Sequence, residues 1–240
     1  MYAKQQELMV KVMNLFAERF DKHAVLRGGM VLRVLGCDRL TNDLDYVFVP
    51  YKSKKDIVDA IITTLSEIDG AKIEHSLNSK CLRVILTVDD VSVQIESKVA
   101  IAVPTQVLST KELSEEYNLP PRLISVLDYS AALAHKMAAW NERRLIRDVY
   151  DIWFYLRLGV APDVEILRKR LEKCSYSKLV KREEYFEGDS VKEFHNFFFA
   201  YACRLTDRMI MDSLENYINR DDLAGISMKF RSEFMKLTEF

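Results

Sequence analysis

The first pattern along the chain is helical. Between residues 5 and 20 the apolar side chains recur at intervals of three and four, so that a helix would place them on one face: Met9, Val12, Met13, Phe16 and Phe20. A short apolar segment follows over 24–26, and Gly28 and Gly29 separate it from a helical run over 30–35. A strand, a glycine turn and a helix start in this order can bring backbone N–H groups close to a phosphate.

The remainder of the first half is predicted to form a mixed sheet. Its segments are rich in β-branched and aromatic residues, or they alternate apolar and polar positions as half-buried strands do. Strands are predicted over 43–49, 71–76, 82–88 and 91–97, the last two as a hairpin around Asp89 and Asp90, with one helix over 53–68.

After about residue 105 the strand signals fade and helical periodicity replaces them. Helices are predicted over 123–140, 145–158, 163–174, 190–218 and 221–238. Because Pro104, Pro120 and Pro121 interrupt regular structure between the two regions, a domain boundary is expected within 105–122. The prediction is an α+β fold in which residues 1–110 form a small mixed-sheet domain and residues 111–240 form an all-helical bundle.

Composition narrows the class of protein. With 49% hydrophobic and 30% charged residues, the chain is predicted to be globular. The formal net charge of -1 excludes a global basic field, so that contact with a polyanion would need a local patch. The sequence contains no long apolar run, and we expect a cytoplasmic protein without membrane contact. Its four cysteines are scattered, which argues against zinc ligation and against a disulfide framework.

Two aspartates stand at the start of a predicted strand. Asp43 and Asp45 would project to the same face, because side chains i and i+2 of a strand do so. Adjacent carboxylates repel each other unless a cation intervenes, and Mg²⁺ takes such oxygen ligands while leaving positions for substrate phosphates. An acidic pair and the turn at Gly28 and Gly29 could thus hold a triphosphate from two sides. Taken alone, the acidic pair is also typical of a solvated strand end, and the glycine pair of an ordinary turn.

A third carboxylate lies in the predicted hairpin. Apolar residues alternate through 91–95 toward the buried face, so that Glu96 faces the opposite side. If this strand neighbours 43–49, Glu96 would lie beside Asp43 and Asp45, where it could bind metal or activate an attacking hydroxyl. An exposed strand residue without chemistry is the alternative.

A second cluster of charged residues lies in the predicted helices of the second half. On a continuous helix, Lys136, Trp140, Arg143 and Arg147 share one stripe. Such a stripe could contact phosphates or a polyanionic acceptor. It is also typical of a solvated helix face, or of ion pairs with nearby acids, which here are Glu142, Asp148 and Asp151.

Together these motifs resemble the AbiEii-like nucleotidyltransferases, which are the toxin components of abortive-infection and type IV toxin–antitoxin systems and belong to the polymerase-beta-like superfamily. The resemblance runs from about residue 25 to residue 158. The motifs that carry it are Gly28-Gly29, Arg39-Leu40-Thr41-Asn42-Asp43-Leu44-Asp45, the strand ending at Glu96, Lys136, Arg143 and Arg147-Asp148 with Asp151.

The resemblance implies a small mixed-sheet nucleotidyltransferase domain and a helical domain that closes the active-site cleft. It implies that NTP is the substrate and that Asp43, Asp45 and Glu96 hold one or two Mg²⁺ ions, with Lys136 as a further catalytic residue. The residues that it assigns to nucleotide binding are Gly28, Gly29, Arg39, Thr41, Lys136, Arg143, Asp148 and Asp151.

The expected function is transfer of a nucleoside monophosphate from an NTP to an acceptor. The resemblance implies an RNA acceptor such as a tRNA end, a toxin role and a cognate antitoxin as partner. One alternative is a small-molecule acceptor of the antibiotic type. Another is a non-catalytic binding protein of a toxin–antitoxin pair, against which the intact acidic pair at Asp43 and Asp45 argues.

Overall fold

The computed structural model describes residues 2–175, 177 and 181–239. The chain forms two compact units, Met1–Asp128 and Tyr129–Phe240. Among the described residues, no helix combines the length and the apolar character that are needed to cross a bilayer.

The first unit is a seven-stranded sheet with helices. Its helices are α1 (Tyr2–Phe20), α2 (Gly29–Val34), α3 (Lys55–Leu65) and α4 (Lys111–Glu116). Its strands are β1 (Ala24–Arg27), β2 (Asp43–Phe48), β3 (Lys72–Leu77), β4 (Leu82–Val88), β5 (Val91–Val99), β6 (Thr105–Ser109) and β7 (Leu123–Leu127). The strand order is β3-β4-β5-β2-β1-β7-β6. Strands β2 and β5 pair in parallel, as do β1 and β7, whereas the other neighbours are antiparallel.

The two faces of this sheet differ in polarity. On one face, side chains of the central strands are fully buried, among them Leu44, Val84 and Ile95. The apolar stripe of α1 contributes to the same core, since the Phe16 ring lies 5.0 Å from the Tyr46 ring. On the opposite face, β3, β4 and β5 carry mostly polar residues that are exposed or half-buried. One apolar face and one polar face are the ordinary consequence of two-residue alternation in a half-covered sheet.

The second unit consists, in the residues described, of helices and short 3₁₀ turns. Its helices are α5 (Tyr129–Arg143), α6 (Ile146–Arg157), α7 (Val164–Glu172), α8 (Val191–Ala202), α9 (Asp207–Leu214) and α10 (Ile226–Met235). Asp163, Ser190 and Thr206 cap the first turns of α7, α8 and α9 through their side chains. Trp140 is completely buried and its ring lies 4.6 Å from that of Phe198, so that aromatic packing forms the core of this unit.

The predicted mixed sheet and its hairpin are confirmed, but the helix predicted from residue 123 is wrong over its first six residues, since α5 begins at Tyr129. Leu123–Leu127 forms strand β7, which pairs in parallel with β1 and antiparallel with β6. A short apolar run suits a buried strand as well as a helix, and here pairing with distant residues decides between them. The sheet therefore continues past residue 110, where the boundary was expected, and the compact units divide after Asp128.

The long helices predicted near the C-terminal end are shorter in the structure. The segment expected to be one helix over 190–218 is divided into α8 and α9, because Thr206 adopts an extended backbone and caps a new helix. The segment 221–238 begins as a 3₁₀ turn, and Gly225 with φ of 68° precedes α10.

Candidate active site

The acidic pair lies at the start of β2. Asp43 and Asp45 are both half-buried, whereas Leu44 between them is completely buried. The two carboxylates therefore project from the same, more polar face of the sheet, as strand alternation requires. Arg27 of β1 is the register partner of Asp45 in the antiparallel pair of β1 and β2. Strand β1 therefore places a guanidinium group beside Asp45.

The glycine turn packs directly against the acidic strand. Gly28 has φ of 80° and ψ of −152°, a region that is essentially restricted to glycine. A Cβ atom at Gly28 would lie 2.5 Å from Asp45 Oδ2, and one at Gly29 would lie 2.7 Å from Thr41 Oγ1. No side chain could occupy either position without displacing its neighbour, so the pair keeps backbone in contact with the acids and with the segment before β2.

The segment 39–42, which precedes β2, contacts both the glycine turn and Asp43. Arg39 and Thr41 are each only 4% exposed. The Thr41 hydroxyl donates a hydrogen bond to Asp43 Oδ1 over 3.0 Å, and Arg39 Nη1 donates to the Leu40 carbonyl over 3.0 Å. Their burial and contacts make them part of the framework that fixes Gly29 and Asp43.

Gln6 was not among the residues singled out from the sequence. Its side chain is 1% exposed, and its Nε2 donates to the Thr41 carbonyl over 2.9 Å. The amide thus connects α1 to Thr41, whose hydroxyl holds Asp43. A signal existed, because Gln6 lies three residues before Met9 on the apolar stripe of the first helix, where a polar residue is out of place.

We expect Gln6→Leu to lower nucleotidyl transfer about tenfold without unfolding the protein. Leucine suits the apolar surroundings, and the substitution removes an Oε1 atom that has no hydrogen-bond partner. Without the amide, however, Thr41 is held less firmly, and small misplacements near reacting groups reduce rates strongly. The melting temperature and the kcat of the variant would be measured together.

Asn14→Leu is the matched control for this prediction. Asn14 lies about two turns further along α1 and is also buried, but its amide donates to the Pro120 carbonyl over 2.8 Å and accepts from Thr110. We expect this variant to lose stability, by about 1–3 kcal/mol, and to keep its activity per folded molecule. A wild-type kcat in Gln6→Leu would contradict the support role of Gln6.

The third acid lies beside the acidic pair. In the parallel pairing of β2 with β5, Glu96 is the register partner of Asp45, and Gln94 that of Asp43. Glu96 Oε1 accepts hydrogen bonds from Arg83 Nη2 over 2.9 Å and from Gln94 Nε2 over 3.1 Å. Arg83 was not anticipated, because its position opposite Glu96 follows from the register of β4 and β5. In the part of the chain that the structure describes, no three His, Cys, Asp or Glu residues form a ready-made metal cluster.

The second unit holds Lys136, Arg143, Asp148 and Asp151 in two ion pairs. Lys136 Nζ lies 2.5 Å from Asp151 Oδ2, with the carboxylate side chain 1% exposed. Arg143 binds Asp148 through two parallel hydrogen bonds of 2.7 and 2.6 Å, and the Asp148 side chain is fully buried. Trp140 was predicted to share an exposed stripe with the basic residues, but its side chain is fully buried, so it cannot contact a polyanion from the surface.

Arg144, next to Arg143, lies among aromatic rings. Its guanidinium group is 3.9 Å from the centroid of the Trp140 ring and donates to Asn141 Oδ1 over 3.0 Å. Burial lowers the pKa of Arg144 to about 10, so the group remains cationic at neutral pH. These contacts fix the turn between α5 and α6, which positions Arg143. Nothing in the local sequence distinguishes Arg144 from its neighbours, so only the packing identifies this residue.

The structure thus assembles the predicted residues in two groups. In the first unit, one region contains Gly28, Gly29, Arg39, Thr41, Asp43, Asp45 and Glu96. In the second unit, α5 and α6 contain the paired residues Lys136, Arg143, Asp148 and Asp151.

Comparison with solved structures gives the fold. MenT4, a nucleotidyltransferase toxin from Mycobacterium tuberculosis, is similar over 100% of this chain and 84% of its own, with a TM-score of 0.63 and 17% sequence identity. JHP933 from Helicobacter pylori is similar over 99% of this chain and 92% of its own, with a TM-score of 0.55 and 12% identity. No curated protein sequence matches the chain.

At 17% and 12% identity the solved structures indicate the fold alone, whereas a sequence model of a protein family identifies the family of this chain. The model of the nucleotidyl transferase AbiEii toxin of type IV toxin–antitoxin systems matches residues 13–204. The matched range includes the glycine turn, all three acids and both ion pairs, and it covers most of the chain. This chain is therefore a nucleotidyltransferase and belongs to the AbiEii toxin family.

Proposed function

We propose that this protein transfers a nucleoside monophosphate from a Mg²⁺-bound NTP to an RNA acceptor, such as a tRNA end. Asp43 and Asp45 are the proposed metal ligands, and Glu96 is the third acid. One observation carries the proposal: the acids occupy adjacent positions on one sheet face, with Asp45 packed against Gly28 and in register with Glu96.

The donor set at this position fits magnesium. It consists of carboxylate oxygens, the ligands that Mg²⁺ prefers, and two of the carboxylates come from one strand face. Thr41 donates a hydrogen bond to Asp43 Oδ1, and Arg83 and Gln94 both contact Glu96 through Oε1. When bound, Mg²⁺ would neutralise charge on the phosphates and on the leaving pyrophosphate.

The protein's own residues would position the substrates. Because Gly28 and Gly29 carry no side chain, the backbone beside Asp45 can approach the phosphates closely. Glu96 can accept the proton of the attacking hydroxyl, since it neighbours Asp45 on the side away from the glycines. Positioning and electrostatic stabilisation account for most of the catalysis in phosphoryl transfer.

The proposal also includes four residues of the second unit, for which it rests on the family resemblance that assigns them to nucleotide binding: Lys136, Arg143, Asp148 and Asp151. Their pairing supports a fixed geometry. A lysine held by a buried carboxylate presents its ammonium group in one place, and a cation can bind phosphate oxygens through charge-assisted hydrogen bonds.

The RNA acceptor, the antitoxin and the cellular location are proposed together. The toxin family to which the chain belongs implies a cognate antitoxin. We assign the reaction to the cytoplasm, because NTP and RNA are found there.

A label-transfer experiment tests the function. The protein is incubated with each α-³²P-labelled NTP in turn, with total RNA and with Mg²⁺ or EDTA, and the products are resolved on gels. Metal-dependent labelling of RNA is the expected result and identifies the nucleotide. Labelling of a small molecule would replace RNA by the antibiotic-type acceptor, and no labelling by a protein that binds Mg-NTP would indicate a binding role.

A further inference from the structure

A group of basic residues lies on the polar face and at one end of the sheet, next to Glu96. We define this group as the basic rim: Lys52 and Lys54 after β2, Lys80 between β3 and β4, Arg83 on β4 and Lys98 on β5. All but Lys54 are exposed. Since the whole chain has a formal net charge of -1, this concentration of positive charge is not the result of a basic composition.

Hydrogen bonds hold the segments of the basic rim together. Lys54 Nζ donates to the Asn78 and Ser79 carbonyls over 2.6 and 2.8 Å, which joins the loop after β2 to the turn before β4. The Asn78 side chain accepts from the backbone N–H groups of Lys80 and Cys81 and so fixes that turn. The backbone of the rim is therefore preorganised, while the side chains of Lys52 and Lys80 are exposed to solvent.

The position of the rim relative to the acids indicates what it binds. In the sheet order, β1 with the glycine turn lies on one side of β2, whereas β5 and β4 lie on the other. Phosphoryl transfer requires the attacking and leaving oxygens roughly in line. If the phosphates of the NTP lie at Gly28 and Gly29, the acceptor must approach over β5 and β4. Lys98 is two residues beyond Glu96, about 7 Å along the strand, and Arg83 is directly opposite Glu96.

We propose that the basic rim binds the phosphodiester backbone of the RNA acceptor upstream of its reacting end. This inference rests on the proposed function and adds a surface to it. The open face of the fully described strands β3, β4 and β5 carries no aromatic side chain, so base stacking is not available there. Cations without stacking partners contact phosphates and do not read sequence.

The test measures RNA binding by the full-length protein as a function of KCl concentration, with labelled total tRNA as the probe. The rim variant is Lys52→Gln with Lys80→Gln. Its matched control is Lys169→Gln with Lys173→Gln, which removes the same charge from exposed basic positions at and beyond α7. The logarithm of the binding constant falls linearly with the logarithm of the salt concentration, and each lost phosphate contact should make this negative slope shallower by about 0.7.

We expect the rim variant to bind tRNA roughly tenfold more weakly, with a salt slope smaller by about 1 to 2, and the control to bind like the wild type. Equal losses in both variants, or wild-type affinity in the rim variant, would overturn the proposal. If the rim variant lost affinity for polyglutamate by the same factor as for tRNA, the assignment to RNA would be overturned. Binding of Mg-NTP, measured separately by calorimetry, should be unchanged in the rim variant, so a failure of the nucleotide site itself would be recognised independently.

Discussion

Asp45→Asn is expected to abolish Mg²⁺-dependent NTP binding and to lower nucleotidyl transfer about a thousandfold or more. Asparagine preserves the volume of the side chain but removes the charge that a metal ion needs. A metal ion supplies several kcal/mol of transition-state stabilisation, and each 1.36 kcal/mol corresponds to a factor of ten in rate. Calorimetry with Mg-NTP, together with Mn²⁺ binding followed by electron paramagnetic resonance, measures the loss without depending on turnover.

The stability of this variant should change little. The substitution removes the attraction between Asp45 and its register partner Arg27, but in the absence of metal it also relieves repulsion with Asp43 and Glu96, so the two effects oppose each other. Asp59→Asn on the exposed surface of α3 makes the same chemical change away from the acids and should leave binding and transfer intact. Mg²⁺-dependent NTP binding that survives in Asp45→Asn would refute the two-carboxylate metal site.

Gly28→Ala is expected to reduce transfer about a hundredfold, because its Cβ would displace a catalytic carboxylate. The new atom would lie 2.5 Å from Asp45 Oδ2, and a displacement of about 1 Å near the reacting groups can cost a factor of about 10² in rate. The backbone conformation, with φ of 80°, adds about 1–3 kcal/mol of strain for a residue with a side chain. The kcat of the variant and its free energy of unfolding would be measured together.

Gly36→Ala separates these two effects. Gly36 also has a positive φ, of 83°, but a Cβ there would meet no atom within 4 Å. We expect this control to lose stability through backbone strain and to keep its activity per folded molecule. If both variants lost activity equally, the contact between Gly28 and Asp45 would not be what the reaction requires.

Charge around the acids is balanced by residues that come from other strands. Arg27 is the register partner of Asp45 and Arg83 that of Glu96, on the two neighbours that flank β2 and β5. Attraction to these two guanidinium groups offsets part of the repulsion between the carboxylates. Three acids can therefore lie side by side in the folded chain before any metal binds, which gives a physical reason why the cluster does not prevent folding.

Local patterning was sufficient to predict the strands that carry the chemistry. Two-residue alternation determined that Asp43 and Asp45 share a face and that Glu96 points away from the core, since these are properties of a single strand. The glycine pair indicated a turn, and Gly28 there has the positive φ that most other residues avoid. Helical periodicity predicted α1 and most of the second unit for the same local reason.

Only the tertiary structure decided which of these local features meet. Glu96 lies beside Asp45 because β5 pairs in parallel with β2, a pairing between strands about fifty residues apart that no local pattern specifies. Leu123–Leu127 forms a strand because it pairs with the edge of β1 that β2 does not occupy. Gln6 of α1 contacts Thr41, and Thr41 in turn donates a hydrogen bond to Asp43. The sequence by itself therefore determined the residue types, the faces and the family motifs. The pairing of distant strands and the packing of α1 determined the site, because contacts between residues far apart in the chain depend on the whole core and not on any one segment of it.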